Sequence, residues 1–401
     1  MYGVVLCAGQ GTRMAPLTDR RPKPLLPVGD RTLVEHVLDA CLEVVDEFVL
    51  VVGYRGEDVR EELGDQYRDR PITYVQQLEQ RGTAHAIAQA RDAIDERFLV
   101  LNGDVLIDAS LPQALGETGS TAMAGTRVPD PSSYGVLTVD DGAVTDLVEK
   151  PDEPPTDLAN VGCYAFEPDV FEYIDRTEES ERGEYEITET IERLIADGRT
   201  VAAIEYDGRW LDVGRPWELL EATEAVLEQL DRRLEGTVEE GAQIRGPVAI
   251  EEGARVRSGA YLEGPVLVRS GADVGPNTYI RGATVIGRNV SVGNGVEIKN
   301  SILMTDAAAN HLSYVGDSII GANANLGAGT TVANLRHDDE SVRMTVKGDR
   351  VDTGRRKLGV VLGDEVKTGI NTSLNAGIRL ETGTTTPPGE TVLRDRSSND
   401  T

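Results

Sequence analysis

The chain predicts two successive folds: an α/β domain over residues 1–215 and a parallel β-helix over residues 240–385. A linker helix is expected within residues 216–239, and a short polar tail over residues 386–401. Three observations predict this. Short apolar runs alternate with helical patterns through the first half, as in an α/β domain with a mostly parallel sheet. A glycine-rich turn follows the first apolar run, at the strand end where open α/β sheets bind ligands. From residue 244 onward an aliphatic residue recurs every six positions, the pattern of a β-helix with three short strands per coil.

Residues 4–6 read as the first strand. Cys7-Ala8-Gly9-Gln10-Gly11-Thr12-Arg13-Met14 follows, and then Arg21-Pro22-Lys23-Pro24. A strand ending in such a turn presents backbone N–H groups to an anion. Arg13 and Lys23 add two cations with no place in a core. Together they describe a loop that grips a triphosphate, with cations set for the charge that develops in phosphoryl transfer. No Gly-Lys-Ser/Thr follows, so this is not a Walker A loop. The third glycine of a dinucleotide fingerprint is missing as well. Further strands are read at residues 48–52, 72–75 and 98–101, and helices at 33–42 and 217–234.

In the second half, Ile244, Ile250, Val256, Leu262, Val268, Val274, Ile280, Ile286, Val292 and Ile298 keep a strict six-residue period. With a quarter of positions aliphatic, chance would produce this about once in a million. The phase breaks over residues 304–316 and resumes at Ile320, Leu326 and Val332. After a second break it returns at Leu362, Leu374 and Leu380, with Thr368 between. The period alone is compatible with a purely structural stack.

The chain carries 40 Lys and Arg against 69 Asp and Glu, a net charge of −29, and only six of its cations are Lys. That balance argues against nucleic acid and anionic membrane as partners. It suits solubility in concentrated salt, and so a halophilic source. Local cations, or salt screening, must then admit anionic substrates. Cys7, Cys41 and Cys163 have no metal-ligand spacing, so a reduced cytoplasmic protein is expected, without signal peptide or membrane span.

The opening motif resembles that of sugar-1-phosphate nucleotidylyltransferases, an apolar strand, A-A-G-x-G-T-R-[ML] and then P-K, with Cys7 replacing the first Ala. Five further stretches resemble the same family in its order: Gln77 to Ala86 around Gly82-Thr83, Leu101-Asn102-Gly103-Asp104, Ser133-Tyr134-Gly135, Glu149-Lys150-Pro151 with Asn160-Val161-Gly162, and Trp210-Leu211-Asp212-Val213-Gly214. The resemblance implies a Rossmann-like α/β nucleotidyltransferase in which Ala8, Gly9, Gly11, Thr12, Gln77, Gly82 and Thr83 bind the nucleotide. Gln77 would face a uracil or thymine edge. Gly135, Glu149, Lys150 and Asn160 would bind the sugar phosphate, Asp104 and Asp212 would hold Mg²⁺, and Arg13 and Lys23 would be catalytic. The Glu-Lys-Pro spelling is closer to thymidylyl- and guanylyltransferases.

The second half carries Asn310-His311-Leu312-Ser313-Tyr314-Val315-Gly316-Asp317, then Asn325-Leu326-Gly327-Ala328-Gly329-Thr330, then Asn334. This resembles the left-handed β-helix acetyltransferase domain of bifunctional N-acetylglucosamine-1-phosphate uridyltransferases, with G-H-L-T-Y-L-G-D, N-x-G-A-G-T and N-Y. His311 lies where the hexad pattern is interrupted. By position it would be the general base, Arg281, Lys299, Tyr314, Asn325 and Asn334 would bind the amino-sugar phosphate and thioester, and Ala328 would lie beside acetyl-CoA. Leu335 stands where the family has Tyr, Ile370 where it has Ser, and the family's next Lys has three candidates, Arg343, Lys347 and Lys357.

What the resemblance implies is synthesis of UDP-N-acetylglucosamine. Acetyl-CoA would acetylate glucosamine-1-phosphate, and UTP (or dTTP) would donate the nucleotidyl group to the resulting hexosamine-1-phosphate, in a homotrimer built through the β-helix. A monofunctional thymidylyl- or guanylyltransferase with an inert β-helix is the alternative. A non-catalytic scaffold is a third.

Overall fold

The computed structural model describes residues 1–180 and 182–397. They form two compact units that do not follow chain order. The first holds Met1–Gln10, Pro22–Leu25 and Leu33–Asp212; the second holds Gly11–Arg21, Leu26–Thr32 and the chain from Val213. An uninterrupted first domain over residues 1–215 therefore misses two excursions. The first is held within the second unit by side chains far along the chain. Arg21 pairs with the buried Asp364, Arg20 with Glu365, Asp19 accepts from Thr382 Oγ1 at 2.8 Å, and Arg379 donates to the Ala15 carbonyl at 3.0 Å.

The first unit is built on one sheet. Its strands are β1 (Tyr2–Cys7), β2 (Glu47–Val52), β3 (Arg70–Gln76), β4 (Phe98–Asn102), β5 (Ala122–Arg127), β6 (Gly135–Asp140), β7 (Ala143–Glu149), β8 (Leu158–Phe166) and β9 (Ala202–Glu205). Their order is β6-β7-β9-β5-β8-β4-β1-β2-β3, with the short Gln66–Tyr67 strand outside β3. The run β4-β1-β2-β3 is parallel, and β8 turns the pairing antiparallel beside β4. Both faces are apolar. Val5, Cys7, Phe48 and Leu50 face one core with Val34, Val37 and Leu38 of helix α1 (Leu33–Cys41). Val4, Val49 and Val51 face the other with Ala84 and Ile87 of helix α2 (Thr83–Ala88). Continuous Val and Leu runs, rather than alternating ones, follow from burial on both faces.

The second unit begins its coils earlier than expected. Helix α3 spans Pro216–Leu227, with Pro at its first turn, and stops short of the expected residue 234. Arg233–Leu234 already pairs with Ala249–Ile250, because Leu234 takes its place in a parallel sheet. Three parallel sheets follow, of eight, six and eight strands, as expected of a left-handed β-helix. Ile250, Val256, Leu262 and their successors fill the interior. The outer face of the first sheet is apolar and buried too, at Leu267, Ile302, Ile319 and Val361. The expected tail is also a coil: Thr391–Val392 pairs with Ser373–Leu374, and Arg396 bridges Leu380, while residues 398–401 lie outside the described residues.

The apparent phase break at residues 304–316 comes from two shortened corners, between Ile298 and Leu303 and between Val315 and Ile320. Val285 pairs with Ile302 and Ile302 with Ile319, so each coil there is 17 residues rather than 18. Leu303, Ala309 and Val315 continue the interior. The second break, near residues 333–358, is an insertion carrying the hairpin Arg343–Val346 and Asp349–Asp352.

Candidate functional site

In the first unit, charged groups converge where β4 ends. Lys23, in the 3-10 turn Lys23–Leu25, ion-pairs with Asp104. The Lys23 side chain is 8% exposed and that of Asp104 30%. Asp104 immediately precedes the strand Val105–Ile107, which pairs antiparallel with Trp210–Asp212. Asp212 falls opposite Val105, so the pairing brings the two carboxylates to neighbouring positions. Gly103 presses on the end of β1: a Cβ there would lie 2.6 Å from Cys7 Sγ. Burial, with Asp104 adding, pushes the Cys7 thiol far above its usual range, so it is no nucleophile. No group of three or more His, Cys, Asp or Glu is gathered for a metal among the described residues.

A cavity of about 250 Å³ is lined by Gln10, Gly53, Tyr54, Gln77, Leu78 and Gln80, beyond the carboxyl ends of β1, β2 and β3. Ala8 and Gly9 follow directly from β1. The Ala8 carbonyl accepts from Gln80 Nε2 at 2.8 Å, and a Cβ on Gly9 would meet open space. Gln77 is buried. Its Nε2 donates to the Gly82 carbonyl at 3.2 Å and lies 2.9 Å from His85 Nδ1. Both amide hydrogens are thereby used, which leaves the amide oxygen free to accept. Gly82, at φ 105°, packs so tightly that a Cβ would sit 2.5 Å from the Tyr185 carbonyl. Thr83 Oγ1 accepts from Ile187 N at 2.9 Å. Both residues therefore dock α2 against the chain near residue 185.

The expected sugar residues also meet. Gly135 pairs with Glu149 across β6 and β7. A Cβ on Gly135 would lie 3.0 Å from Glu149 Oε2 and 3.5 Å from Asn160 Cβ. Asn160 is fixed by Gly162 N, which donates to its Oδ1 at 3.0 Å, and by its own donation to Tyr164 Oη at 2.7 Å. Lys150 is exposed, 3.4 Å from Glu149. Arg182 was not marked by any motif. It lies 3.5 Å from the same carboxylate and 2.8 Å from Glu186, a proximity that only the fold creates.

In the second unit, Gly11 turns at φ 63°, and its carbonyl accepts from Met14 N at 2.8 Å and Thr18 Oγ1 at 3.0 Å. Thr12 and Arg13 are exposed on the short turn that follows. The Arg13 guanidinium lies against Gly214, where a Cβ would approach it to 3.0 Å.

On the β-helix, Arg281 and Lys299 are stacked by register on the third sheet, as are Glu297 and Tyr314. Arg281 pairs with Glu297 at 2.8 Å. Lys299 pairs with the buried Asp317 at 2.8 Å, and Asn334 Nδ2 donates to Asp317 at 2.5 Å and to Tyr314 Oη at 3.2 Å. His311 is not in an interruption: it ends the strand Ala308–His311, in register with Asn294, and is exposed. Its carbonyl accepts from Gly329 N, the Ala328 carbonyl from Asn371 N and the Ile370 carbonyl from Gly389 N, so His311, Ala328 and Ile370 stack at one corner. Ile370 is 54% exposed there. Asn325 stands apart on the second sheet, opposite Ala308. Of the three candidate cations after Asn334, Lys357 is the one that the backbone brings beside it, through the Leu335–Lys357 bridge. Asp317 closes the Asn310–Asp317 run, and no motif assigned it a role; its burial against Lys299 and Asn334 arises only in the fold.

Residues 2–229 match the family model described as nucleotidyl transferase, and residues 262–382 match the one described as GMPPB C-terminal domain. A "Bifunctional protein GlmU" of Methanocaldococcus jannaschii is 42% identical, over 95% of this chain and 92% of its own length. A "Bifunctional sugar-1-phosphate nucleotidylyltransferase/acetyltransferase" of Sulfurisphaera tokodaii is 36% identical, over 98% of each. A solved structure of a UDP-glucose pyrophosphorylase complexed with UDP-glucose superposes with a TM-score of 0.52 at 25% identity, over 57% of this chain and 98% of that one.

Proposed function

We propose that this chain, which belongs to the nucleotidyl transferase family, makes a UDP-N-acetylhexosamine by two reactions, acetyl transfer on the β-helix and nucleotidyl transfer on the α/β unit. The observation that carries the double reading is the cluster of Lys299, Asp317, Asn334 and Tyr314, carried on the same stretch of coils as the exposed His311. The Lys299–Asp317 pair is distinguished by the amides and the hydroxyl gathered with it, from Asn300, Asn334 and Tyr314.

In the first reaction the amine of glucosamine-1-phosphate attacks the thioester carbonyl of acetyl-CoA. His311 takes the proton from the amine, and the coenzyme A thiol leaves. Arg281 and Lys299 bind the phosphate, Tyr314, Asn325 and Asn334 orient the amine and thioester, and Ala328 lies along the coenzyme.

In the second, the phosphate oxygen of N-acetylglucosamine-1-phosphate attacks the α-phosphorus of UTP, and pyrophosphate leaves. Ala8, Gly9, Gly11 and Thr12 surround the triphosphate. The Gln77 amide oxygen accepts from N3–H of a uracil, and thymine carries the same donor. Gly135, Glu149, Lys150 and Asn160 take the sugar, and Arg13 and Lys23 counter charge on the phosphates. Asp104 and Asp212 fit Mg²⁺, which is commonly held by one or two carboxylates with phosphates and water completing its shell. Bound there, the ion supplies charge neutralisation to the phosphates; Lys23 exchanges Asp104 for phosphate. The β-helix assembles as a trimer, and the acidic surface serves a salt-rich cytoplasm. No helix among the described residues is long and apolar enough to cross a membrane.

A second reading is a thymidylyl- or guanylyltransferase with an inert β-helix. The Glu149-Lys150-Pro151 spelling and the GMPPB C-terminal match favour it. Assaying the purified protein with four nucleoside triphosphates, three sugar phosphates and acetyl-CoA separates them: coenzyme A release dependent on glucosamine-1-phosphate supports the first reading, and its absence the second.

A further inference from the structure

Each coil of the β-helix turns from its third sheet to its first at a corner. In successive coils that corner holds Gly282, Asn300 and Asp317, all at positive φ, of 68°, 47° and 51°. Asn and Asp suit that backbone, and a corner Asp ordinarily faces water. Asp317 does not. Its side chain is 4% exposed, and its carboxylate collects four N–H contacts: Lys299 Nζ at 2.8 and 3.1 Å, Asn300 Nδ2 at 3.0 Å and Asn334 Nδ2 at 2.5 Å.

The contacts continue inward. Asn300 Nδ2 also reaches Glu224 Oε1 on α3 at 2.8 Å. Arg355, from the insertion, closes on the same Glu224 and on Glu221, the latter at 3.3 Å. Asn300 thus stands between two carboxylates, and Arg355 neutralises the outer one. Without Arg355, two negative charges would face each other across one amide.

We propose that Asp317 is the positioning residue of the amino-sugar-phosphate site, and that Asn300 braces it, held in turn by Glu224 of α3 and Arg355 of the insertion. The inference rests on the acetyl-transfer reading above. Lys299 has a long, mobile stem, and ordering it when substrate arrives costs affinity. Asp317 orders it beforehand. It occupies part of the ammonium's donor capacity and leaves the remainder for a phosphate oxygen. The same carboxylate aligns the Asn334 amide, which in turn meets the Tyr314 hydroxyl. A bare corner Asp, there for backbone reasons, would need none of these partners.

The test is a double-mutant cycle on the full-length protein, read as coenzyme A release at varied glucosamine-1-phosphate. Asp317→Asn should raise KM for the sugar phosphate at least about tenfold, with kcat within about threefold and KM for acetyl-CoA unchanged. In a Lys299→Met background the same substitution should add less than about twofold. Independent, multiplying effects would overturn the proposal, since they mean that Asp317 does not act through Lys299. Arg355→Gln should raise the same KM about threefold and Arg355→Lys should restore it. If Asp317→Asn does not fold, Asn300→Ala decides: a raised KM with an unchanged melting temperature supports the brace, and an unchanged KM overturns it. A wild type that releases no coenzyme A overturns the acetyl-transfer reading and this inference together; an active wild type with a failed cycle overturns this inference alone.

Discussion

Lys23→Met tests the nucleotidyl site most directly. The ammonium is buried and paired with Asp104, yet the pair adds little to folding. Desolvating a lysine costs several kcal/mol, and its attraction to one partly wet carboxylate returns about as much. Asp104 is 30% exposed, so water reaches it once the partner is gone. Loss of stability should stay at about 1–2 kcal/mol, well below the 3–5 kcal/mol typical of breaking a fully buried pair. The transition state is a different matter. A charged donor aimed at phosphoryl oxygens in a dry site contributes about 3–4 kcal/mol. Even half of that lowers turnover at least about tenfold. Pyrophosphate release with UTP or dTTP at saturating Mg²⁺ measures the rate, and urea unfolding measures the stability. Unchanged turnover would refute a catalytic Lys23. So would a loss of rate that merely tracks the unfolded fraction.

Asp104→Ala and Asp212→Ala should each abolish nucleotidyl transfer and leave acetyl transfer intact; full pyrophosphorylase activity in either would remove the assigned metal site. His311→Ala should lose acetyl transfer by roughly 10²-fold, the worth of a positioned general base, while keeping nucleotidyl transfer from pre-acetylated sugar phosphate. Retained coenzyme A release would put the base elsewhere. Glu192 is half-buried, and burial, then Glu189 and Asp146, push its carboxyl up to about 7, against a smaller opposing pull from Arg193. The folded state therefore holds that proton above the ordinary value of 4.5, and stability falls as pH rises from there to about 7. Glu192→Gln should stabilise the fold by about 1 kcal/mol at pH 8 and have almost no effect near pH 4.5, once partial exposure is discounted. Equal shifts in melting temperature at the two pH values would show that the charge is not the cause.

Much of the first site was legible because each residue carried its own local signal. Asp104 ends an apolar strand, Lys23 sits between two prolines, and Gln77 precedes a Gly-Thr that opens a helix. These are backbone events, visible in a short window. What no window shows is how two distant stretches pair. Asp212 reaches Asp104 only through the antiparallel register of Trp210–Asp212 with Val105–Ile107. Arg182 reaches Glu149 only because the folded chain returns there. The allotment of Gly11–Arg21 to the β-helix unit was likewise invisible. It depends on contacts such as Arg21 with Asp364 and Arg20 with Glu365, more than three hundred residues away, and isolated contacts leave no pattern in either segment.

The β-helix illustrates the opposite case, a strong pattern that hid something. A hexad count locates the interior, since each inward aliphatic is followed by the next after one strand and one corner. It fails when a corner loses a residue, although the core does not: Leu303 and Val315 are as buried as Ile280 and Ile298. The proposed acetyl-transfer residues gather in that stretch for a geometric reason. Inward positions are committed to packing, so polar function is left with outward positions and corners, which the aliphatic period does not constrain. At the two shortened corners from the third sheet to the first, Asn300 and Asp317 stand at positive φ, as Gly282 does at the full-length corner of the coil before. Lys299 stands directly before the Asn300 corner, one coil below Gly316. The missing hexad beat and the buried Lys299–Asp317 pair therefore fall at the same corners, the places where the aliphatic period leaves the sequence free to vary.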